Sequence, residues 1–322
     1  MPVPRVLVLG KPESPHFQVL SELPQPTDLH VGADPDFVGR EGPLAEVLLY
    51  AGMDGSVFRR AWGLATRVRW VHSLWAGVDR ILTPEFVASP VPLTNARGVF
   101  AEALGEYAIA AILHFAKNIP LMLHNQRAGR WEWLTVEMAR GQTLGVVGYG
   151  EIGQAAGRLA AAIGMRVIAL RRRPELSSGD GVAERIYAPA QLREMLGESD
   201  YVLLAMPATA ETQHAIGADE LRAMKPSAVL INLGRGNAVD EVALVKALRE
   251  RRIRGAALDV FETEPLPQGN PLYTLDNVLI SAHSADRTPG FLDHAMRLFV
   301  QNYGRFVRGE PLLNVVDKKA GY

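Results

Sequence analysis

Up to Ser73 the chain alternates short apolar runs with stretches of mixed polarity. Arg5–Gly10, Leu29–Val31, Glu46–Tyr50 and Trp70–Ser73 predict strands, several of them separated by turn-forming Pro and Gly, with helices between. From Val99 the texture changes. Phe100–Ala116 is apolar at helical spacing with Gly105 as its one interruption, and a second helix is expected over Leu121–Ala128. Thr143–Val147 predicts a strand, Ile152–Ile163 an Ala-rich helix and Arg166–Leu170 the next strand. Tyr201–Ala205, Val229–Asn232, Ala256–Val260 and Val278–Ser281 predict further strands, with helices between several of them. Continuous apolar strands alternating with helices imply parallel sheets covered on both faces. Phe291–Arg308 reads as an amphipathic helix, followed by a polar tail, Glu310–Tyr322, too short for another domain.

Composition narrows the function classes. A chain of 322 residues is too long for one ordinary core, so two domains are expected. A net charge of -1 supplies no global field for nucleic acid or an acidic membrane. The absence of cysteine excludes disulfides, thiolate nucleophiles and Cys-based metal centres, and fits a reducing compartment. Val6–Gly10 is too short for a signal segment, and no apolar stretch is long enough to span a bilayer. A cytoplasmic protein with neither nucleic-acid nor membrane partners is expected.

Gly148-Tyr149-Gly150-Glu151-Ile152-Gly153 fits a G-x-G-x-x-G pattern between a predicted strand and a predicted helix, the context that makes it a dinucleotide fingerprint rather than an ordinary tight turn. The first Gly makes the turn, the second lets pyrophosphate approach the backbone, and the third lets helix pack on strand. The helix N-terminus, opening at Glu151 and Ile152, offers free N–H groups to phosphate. The next strand ends at Leu170 and is followed by Arg171-Arg172-Arg173, where an NAD site would carry a carboxylate. Arginines suit a 2′-phosphate, so NADPH is the expected cofactor, with NADH possible. The plainer alternative is a solvated basic turn.

Three further segments each follow a predicted strand and carry one ionisable group. They are Ile231–Gly236 with Arg235, Asp259–Pro267 with Glu264, and Ser281–Thr288 with His283. An Arg, a carboxylate and a His at one sheet edge can clamp a carboxylate, hold an imidazole charged and move a proton. Beside a hydride carrier, that chemistry suggests a dehydrogenase.

With these motifs the chain resembles the D-isomer-specific 2-hydroxyacid dehydrogenases over nearly its whole length, most densely from Asn95 to Thr288. Asn95–Val99, Leu144–Gly153, Met206–Thr212 and the three segments above match the family pattern in order and spacing. The resemblance implies two Rossmann-like or flavodoxin-like domains with a cleft between them. Residues 1–98 plus 290–322 would form the substrate domain and 99–289 the dinucleotide-binding domain, in a homodimer. It implies that His283 is the general acid, that Glu264 orients it, and that Arg235 pairs with the substrate carboxylate. Trp75, Ala76 and Gly77 would bind substrate, the last two through backbone N–H groups. Asp259 would face the nicotinamide amide, Pro207 and Thr212 would line the adenosine half, and Leu233 would complete the cofactor-binding set. Trp75, Trp131 and Trp133 either line a substrate pocket or pack at a domain or subunit contact. Packing is favoured for Trp131 and Trp133.

The expected function is reduction of small 2-keto acids to D-2-hydroxy acids, most like glyoxylate and hydroxypyruvate reductases. Glu264 stands where the formate-oxidising branch has Gln, so formate is not the expected substrate. An appended regulatory domain is not expected either. The alternative is a corepressor-like binding protein that senses dinucleotides, for which the same residues would serve.

Overall fold

A computed structural model describes residues 3–177 and 181–322. The chain divides into two compact units, Met1–Phe100 with Thr288–Tyr322, and Ala101–Arg287. The first unit runs β1 (Arg5–Leu9), β2 (Asp28–Gly32), α1 (Pro35–Glu41), β3 (Val47–Tyr50), α2 (Gly55–Leu64), β4 (Trp70–Ser73), α3 (Pro84–Ala88) and β5 (Leu93–Asn95). The second runs α4 (Ala101–Ala116), α5 (Ile119–Arg127), β6 (Thr143–Val147), α6 (Glu151–Ala162), β7 (Arg166–Leu170), β8 (Arg185–Tyr187), α7 (Leu192–Glu198), β9 (Tyr201–Leu204), α8 (Ala218–Ala223), β10 (Val229–Asn232), α9 (Glu241–Arg249), β11 (Gly255–Leu258) and β12 (Val278–Ile280). Helix α10 (Phe291–Arg308) then returns to the first unit.

The first sheet is ordered β2-β1-β3-β4-β5 and all its pairings are parallel. This is the flavodoxin-like order. Local chemistry starts its helices. Asp34, Asp54 and Thr83 cap α1, α2 and α3 by accepting from Phe37 N, Ser56 N and Phe86 N, and Pro opens α1 and α3. The ring of Phe299 on α10 stacks on Trp70 of β4 at 5.4 Å, and Asn302, fully buried, both donates to and accepts from the Leu313 backbone. The polar tail is thus tied down: Val316 N donates to Leu93 O, and Lys318 Nζ donates to the carbonyls of Phe86, Ser89 and Val91.

The second sheet is ordered β12-β11-β10-β9-β6-β7-β8, again with every pairing parallel. Counted from β6 it is the Rossmann order with one strand added beyond the sixth. Its inner strands, β6, β7, β9, β10 and β11, are buried along nearly their whole length because helices cover both faces, which is why they read as unbroken apolar runs; the edge strands β8 and β12 are only partly buried. Helices α4 and α6 approach closely at Gly105, where a Cβ would stand 3.1 Å from the Ala155–Ala156 backbone.

Most predicted strands stand within a residue or two of their predicted ends. Two strands escaped the periodicity, β5 and β8. Each has three residues, too few to show a period. The second predicted helix starts earlier than expected, at Ile119, because Pro120 occupies its first turn, where a missing N–H does no harm.

Candidate active site

Every strand of the second sheet points the same way, so the loops after β6, β7, β9, β10, β11 and β12 leave from one edge, its carboxyl edge. The glycine loop, Arg171, the Met206–Thr212 loop, Arg235, Asp259, Glu264 and His283 all lie on these loops. In open parallel sheets this edge is where ligands bind, at the point where strand order reverses, here between β6 and β9.

The glycine loop has the geometry a pyrophosphate needs. Gly148 has φ +96°, and a Cβ there would stand 2.8 Å from the Ala205–Met206 backbone. A Cβ at Gly153 would stand 2.6 Å from Gly148 O, so this glycine lets α6 close on β6. A Cβ at Gly150 would meet nothing within 4 Å, which leaves the backbone open to an approaching group. Glu151 and Ile152 begin α6, whose N-terminal amides and dipole favour an anion. Arg171, Arg172 and Arg173 follow β7 directly; the Thr209 hydroxyl and the Glu211 backbone hold the Glu211 carboxyl below the usual range against burial, and the Arg172 charge adds the smallest share. Opposite, Thr212 Oγ1 accepts from Thr209 N at 2.8 Å and donates to Pro207 O at 2.7 Å, so this hydroxyl closes its own loop. Leu233 is only 4% exposed and has little side-chain surface for a cofactor.

Arg235 is placed by its neighbours. Gly234 N donates to Asn232 Oδ1, and Asn232 Nδ2 donates to Arg235 O at 3.0 Å, which folds the loop back on the end of β10. Gly236 packs on the Phe261–Glu262 peptide so tightly that a Cβ would lie 1.9 Å from Phe261 C. The Arg235 loop and the Glu264 loop are therefore locked together by one contact that only glycine permits.

Glu264 Oε1 accepts from Phe261 N at 3.1 Å, and Oε2 lies 2.8 Å from His283 Nδ1. With Nδ1 engaged, Nε2 is the imidazole nitrogen left to exchange a proton. The hydrogen bond to Glu264 lifts the imidazole above its ordinary pKa. Burial opposes this, the charges of Glu264 and Asp259 add to it, and the Arg235 guanidinium opposes it. The His283 side chain remains 40% exposed. Ala282 and His283 both have left-handed backbones, at φ 49° and 52°. Each costs about 1–2 kcal/mol for a residue with a Cβ. Asp259 holds this turn in place: its carbonyl accepts from His283 N at 2.7 Å, and its Oδ1 accepts from Ser281 Oγ, Ser284 N and Ala285 N. Asp259 is 2% exposed, and the structure commits Oδ1 to the turn that carries His283.

In the first unit, Trp75 donates from Nε1 to Gly52 O at 2.8 Å, and Asn95 Nδ2 donates to Ala76 O at 2.6 Å. These bonds fix the bend after β4, and among the described residues the Ala76 and Gly77 amides donate to no group of the chain. Trp131 and Trp133 are each 94% exposed. The sequence did not single out Glu241, Glu262, His214 or Asp286, all close to the site. Glu262 and Asp286 stand inside the quoted segments and Glu241 and His214 outside them, and nothing in their spacing sets them apart from ordinary surface charges.

Comparison with known proteins agrees with this geometry. Residues 109–285 match the family model for the D-isomer specific 2-hydroxyacid dehydrogenase, NAD binding domain. A glyoxylate reductase of Korarchaeum cryptofilum is 36% identical over 84% of the chain and 82% of the relative. A D-isomer specific 2-hydroxyacid dehydrogenase of Xanthobacter autotrophicus, solved with NADPH and MES, superposes with a TM-score of 0.84 at 30% identity, covering 99% of this chain and 100% of that one. An NADPH-dependent glyoxylate/hydroxypyruvate reductase of Sinorhizobium meliloti, solved with NADP and sulfate, superposes with a TM-score of 0.85 at 26% identity, covering 99% and 100%. The chain belongs to the D-isomer specific 2-hydroxyacid dehydrogenase family.

Proposed function

We propose that this chain is an NADPH-preferring reductase of small 2-keto acids, glyoxylate and hydroxypyruvate among them, and that His283, Glu264 and Arg235 carry the reaction. NAD(P)H-dependent reduction of 2-keto acids follows from its family. The observation that carries the assignment of residues is the 2.8 Å contact between Glu264 and His283, on the same sheet edge as the glycine loop. The open backbone at Gly150, the helix N-terminus behind it and the arginines after β7 fit a dinucleotide with a 2′-phosphate. The dinucleotide, when bound, supplies the hydride.

The chain's own groups do the rest. Arg235 offers a planar fork to the substrate carboxylate. In the first unit, the Ala76 and Gly77 amides are donors of the kind that suits a carboxylate. His283, whose imidazolium form Glu264 favours, donates its Nε2 proton to the keto oxygen as negative charge develops there. In oxidation it takes the proton back. Residues 1–98 with 290–322 act as the substrate domain and 99–289 as the dinucleotide domain. No observation favours the dinucleotide-sensing alternative.

The named relatives that reduce glyoxylate or hydroxypyruvate support the substrate class. A steady-state panel tests it: glyoxylate, hydroxypyruvate, a phosphorylated 2-keto acid and a simple aldehyde, each with NADPH and NADH. Glyoxylate or hydroxypyruvate with NADPH should give the highest kcat/KM. A higher value for the phosphorylated acid, or for NADH, would overturn the corresponding half. The exposed pair Trp131 and Trp133 supports a homodimer, since two indoles in water are apolar surface that a second copy could bury. Their replacement by Ser should shift a sizing column from dimer to monomer. Among the described residues no helix is long and apolar enough to cross a membrane.

A further inference from the structure

The turn Phe261–Glu264 is held by two carboxylates on two consecutive amides. Phe261 N donates to Glu264 Oε1 at 3.1 Å, and Glu262 N donates to Glu241 Oε1 at 2.6 Å. Glu241 is the first residue of α9, and its own N–H donates back to Glu262 Oε1 at 3.5 Å. The Glu262 oxygen also lies 2.8 Å from His214 Nε2. The peptide that carries the second of these amides, Phe261–Glu262, is the one that Gly236 packs against.

We propose that Glu241 is a positioning residue for the His283 imidazole, holding from α9 the turn on which Glu264 is mounted and placing a second negative charge behind the Glu264 carboxylate. Neither effect requires Glu241 to touch substrate or cofactor. The proposal rests on His283 being the general acid. A carboxylate gripping the Glu262 amide limits the rotation of the turn, and so limits how far Glu264 can drift from Nδ1. Its charge adds to those that favour the imidazolium. Burial, first, and then the charges of Glu262 and Glu264 raise the Glu241 carboxyl above the ordinary range, while the Glu262 amide and Asn270 oppose the rise. Glu241 and Glu264 therefore feel one another. The charged groups that face His283 are Glu264, Asp259, Arg235 and Asp286, and Arg287 Nε donates to its carbonyl. Those that face Glu241 are Glu262 and Glu264, with His214 behind Glu262.

Two variants separate the grip from the charge. Glu241→Gln keeps an oxygen for the Glu262 amide and removes the charge. Glu241→Ala removes both. The His283 imidazole is titrated by NMR in the full-length protein, its resonance assigned by its loss in His283→Gln, and the pH dependence of reductive kcat/KM is recorded alongside. Glu241→Gln should lower the His283 midpoint by roughly a few tenths of a pH unit. The fall of kcat/KM at high pH should move down by the same amount, with KM unchanged below it. Glu241→Ala should in addition lose about tenfold in kcat, because the turn is released. A residue that merely supports the fold would leave the Glu241→Gln midpoint where it is. A midpoint and pH profile that superimpose on the parent, or a Glu241→Ala enzyme with parental kcat, would overturn the proposal. A shifted midpoint in a protein that reduces no 2-keto acid would support the coupling and sink the proposed reaction instead.

Discussion

His283 Nδ1 and Glu264 Oε2 stand 2.8 Å apart, and they meet although 19 residues separate them, because β11 and β12 are adjacent parallel strands whose loops leave the same edge. Removing the imidazole in His283→Ala should lower kcat by about 10²–10⁴-fold, the usual share of general acid catalysis. Glu264→Gln keeps the shape and removes the charge that favours the imidazolium. The folded-state pKa of His283 is raised by Glu264, so losing that carboxylate lowers it. Reduction needs the charged form, so reductive kcat/KM should fall at a lower pH than in the parent. Overlapping pH profiles would remove Glu264 from the mechanism.

Cofactor choice should reside in the arginines after β7. Each charge-assisted contact to a 2′-phosphate is worth roughly 1.5–3 kcal/mol. Arg171→Ala with Arg172→Ala should therefore erase most of the preference for NADPH, chiefly by raising its KM while NADH kinetics change little. Equal losses with both cofactors would mean that these side chains support the loop rather than read the phosphate.

The Arg235 loop can be perturbed in two ways. Arg235→Lys keeps the charge and loses the planar fork, so kcat/KM should fall heavily with the melting temperature unchanged. Gly236→Ala places a methyl group where the Phe261–Glu262 backbone already stands, and backbone cannot rotate away as a side chain can. Overpacking of this kind costs about 1–3 kcal/mol or more. Gly236→Ala should lower both the melting temperature and kcat/KM, whereas Arg235→Lys should lower only the second. Parental stability and activity in Gly236→Ala would show that the two loops are not locked.

A separate pH effect should come from the first unit. His72 is fully buried on β4, its Nδ1 is 2.7 Å from Thr94 Oγ1, and burial pushes its pKa down to about 3. Between that value and the ordinary one near 6.5, the unfolded chain binds a proton that the folded chain refuses. Stability is therefore complete above the unfolded value and is lost as pH falls, by about 1.4 kcal/mol per pH unit for one group. In urea unfolding between pH 7 and pH 5, His72→Gln should lose about 2 kcal/mol less than the parent. Parallel losses would show that His72 takes up a proton in the folded state.

The sequence by itself determined the elements and the chemistry that sits on them. Helix Phe291–Arg308 and strands such as Thr143–Val147 and Arg166–Leu170 stand where the hydrophobic pattern put them, because a strand buried on both faces has no choice but to be apolar. The glycines of the fingerprint were legible because each answers a local demand: a positive φ at Gly148, open backbone at Gly150, contact between strand and helix at Gly153. Arg235, Glu264 and His283 were legible as residues that follow strands, since a parallel sheet sends all such residues to one edge. What only the tertiary structure decided is how those residues are held. The left-handed turn at Ala282–His283, the three donors gathered by Asp259, the fit of Gly236 on the Phe261–Glu262 peptide and the grip of Glu241 on that same turn all join segments distant along the chain. The return of α10 and its tail to the first sheet is of the same kind. Periodicity records which side of its own element a residue faces. It carries no record of which other element lies there, and that choice is made by packing between surfaces that meet only once the chain has folded.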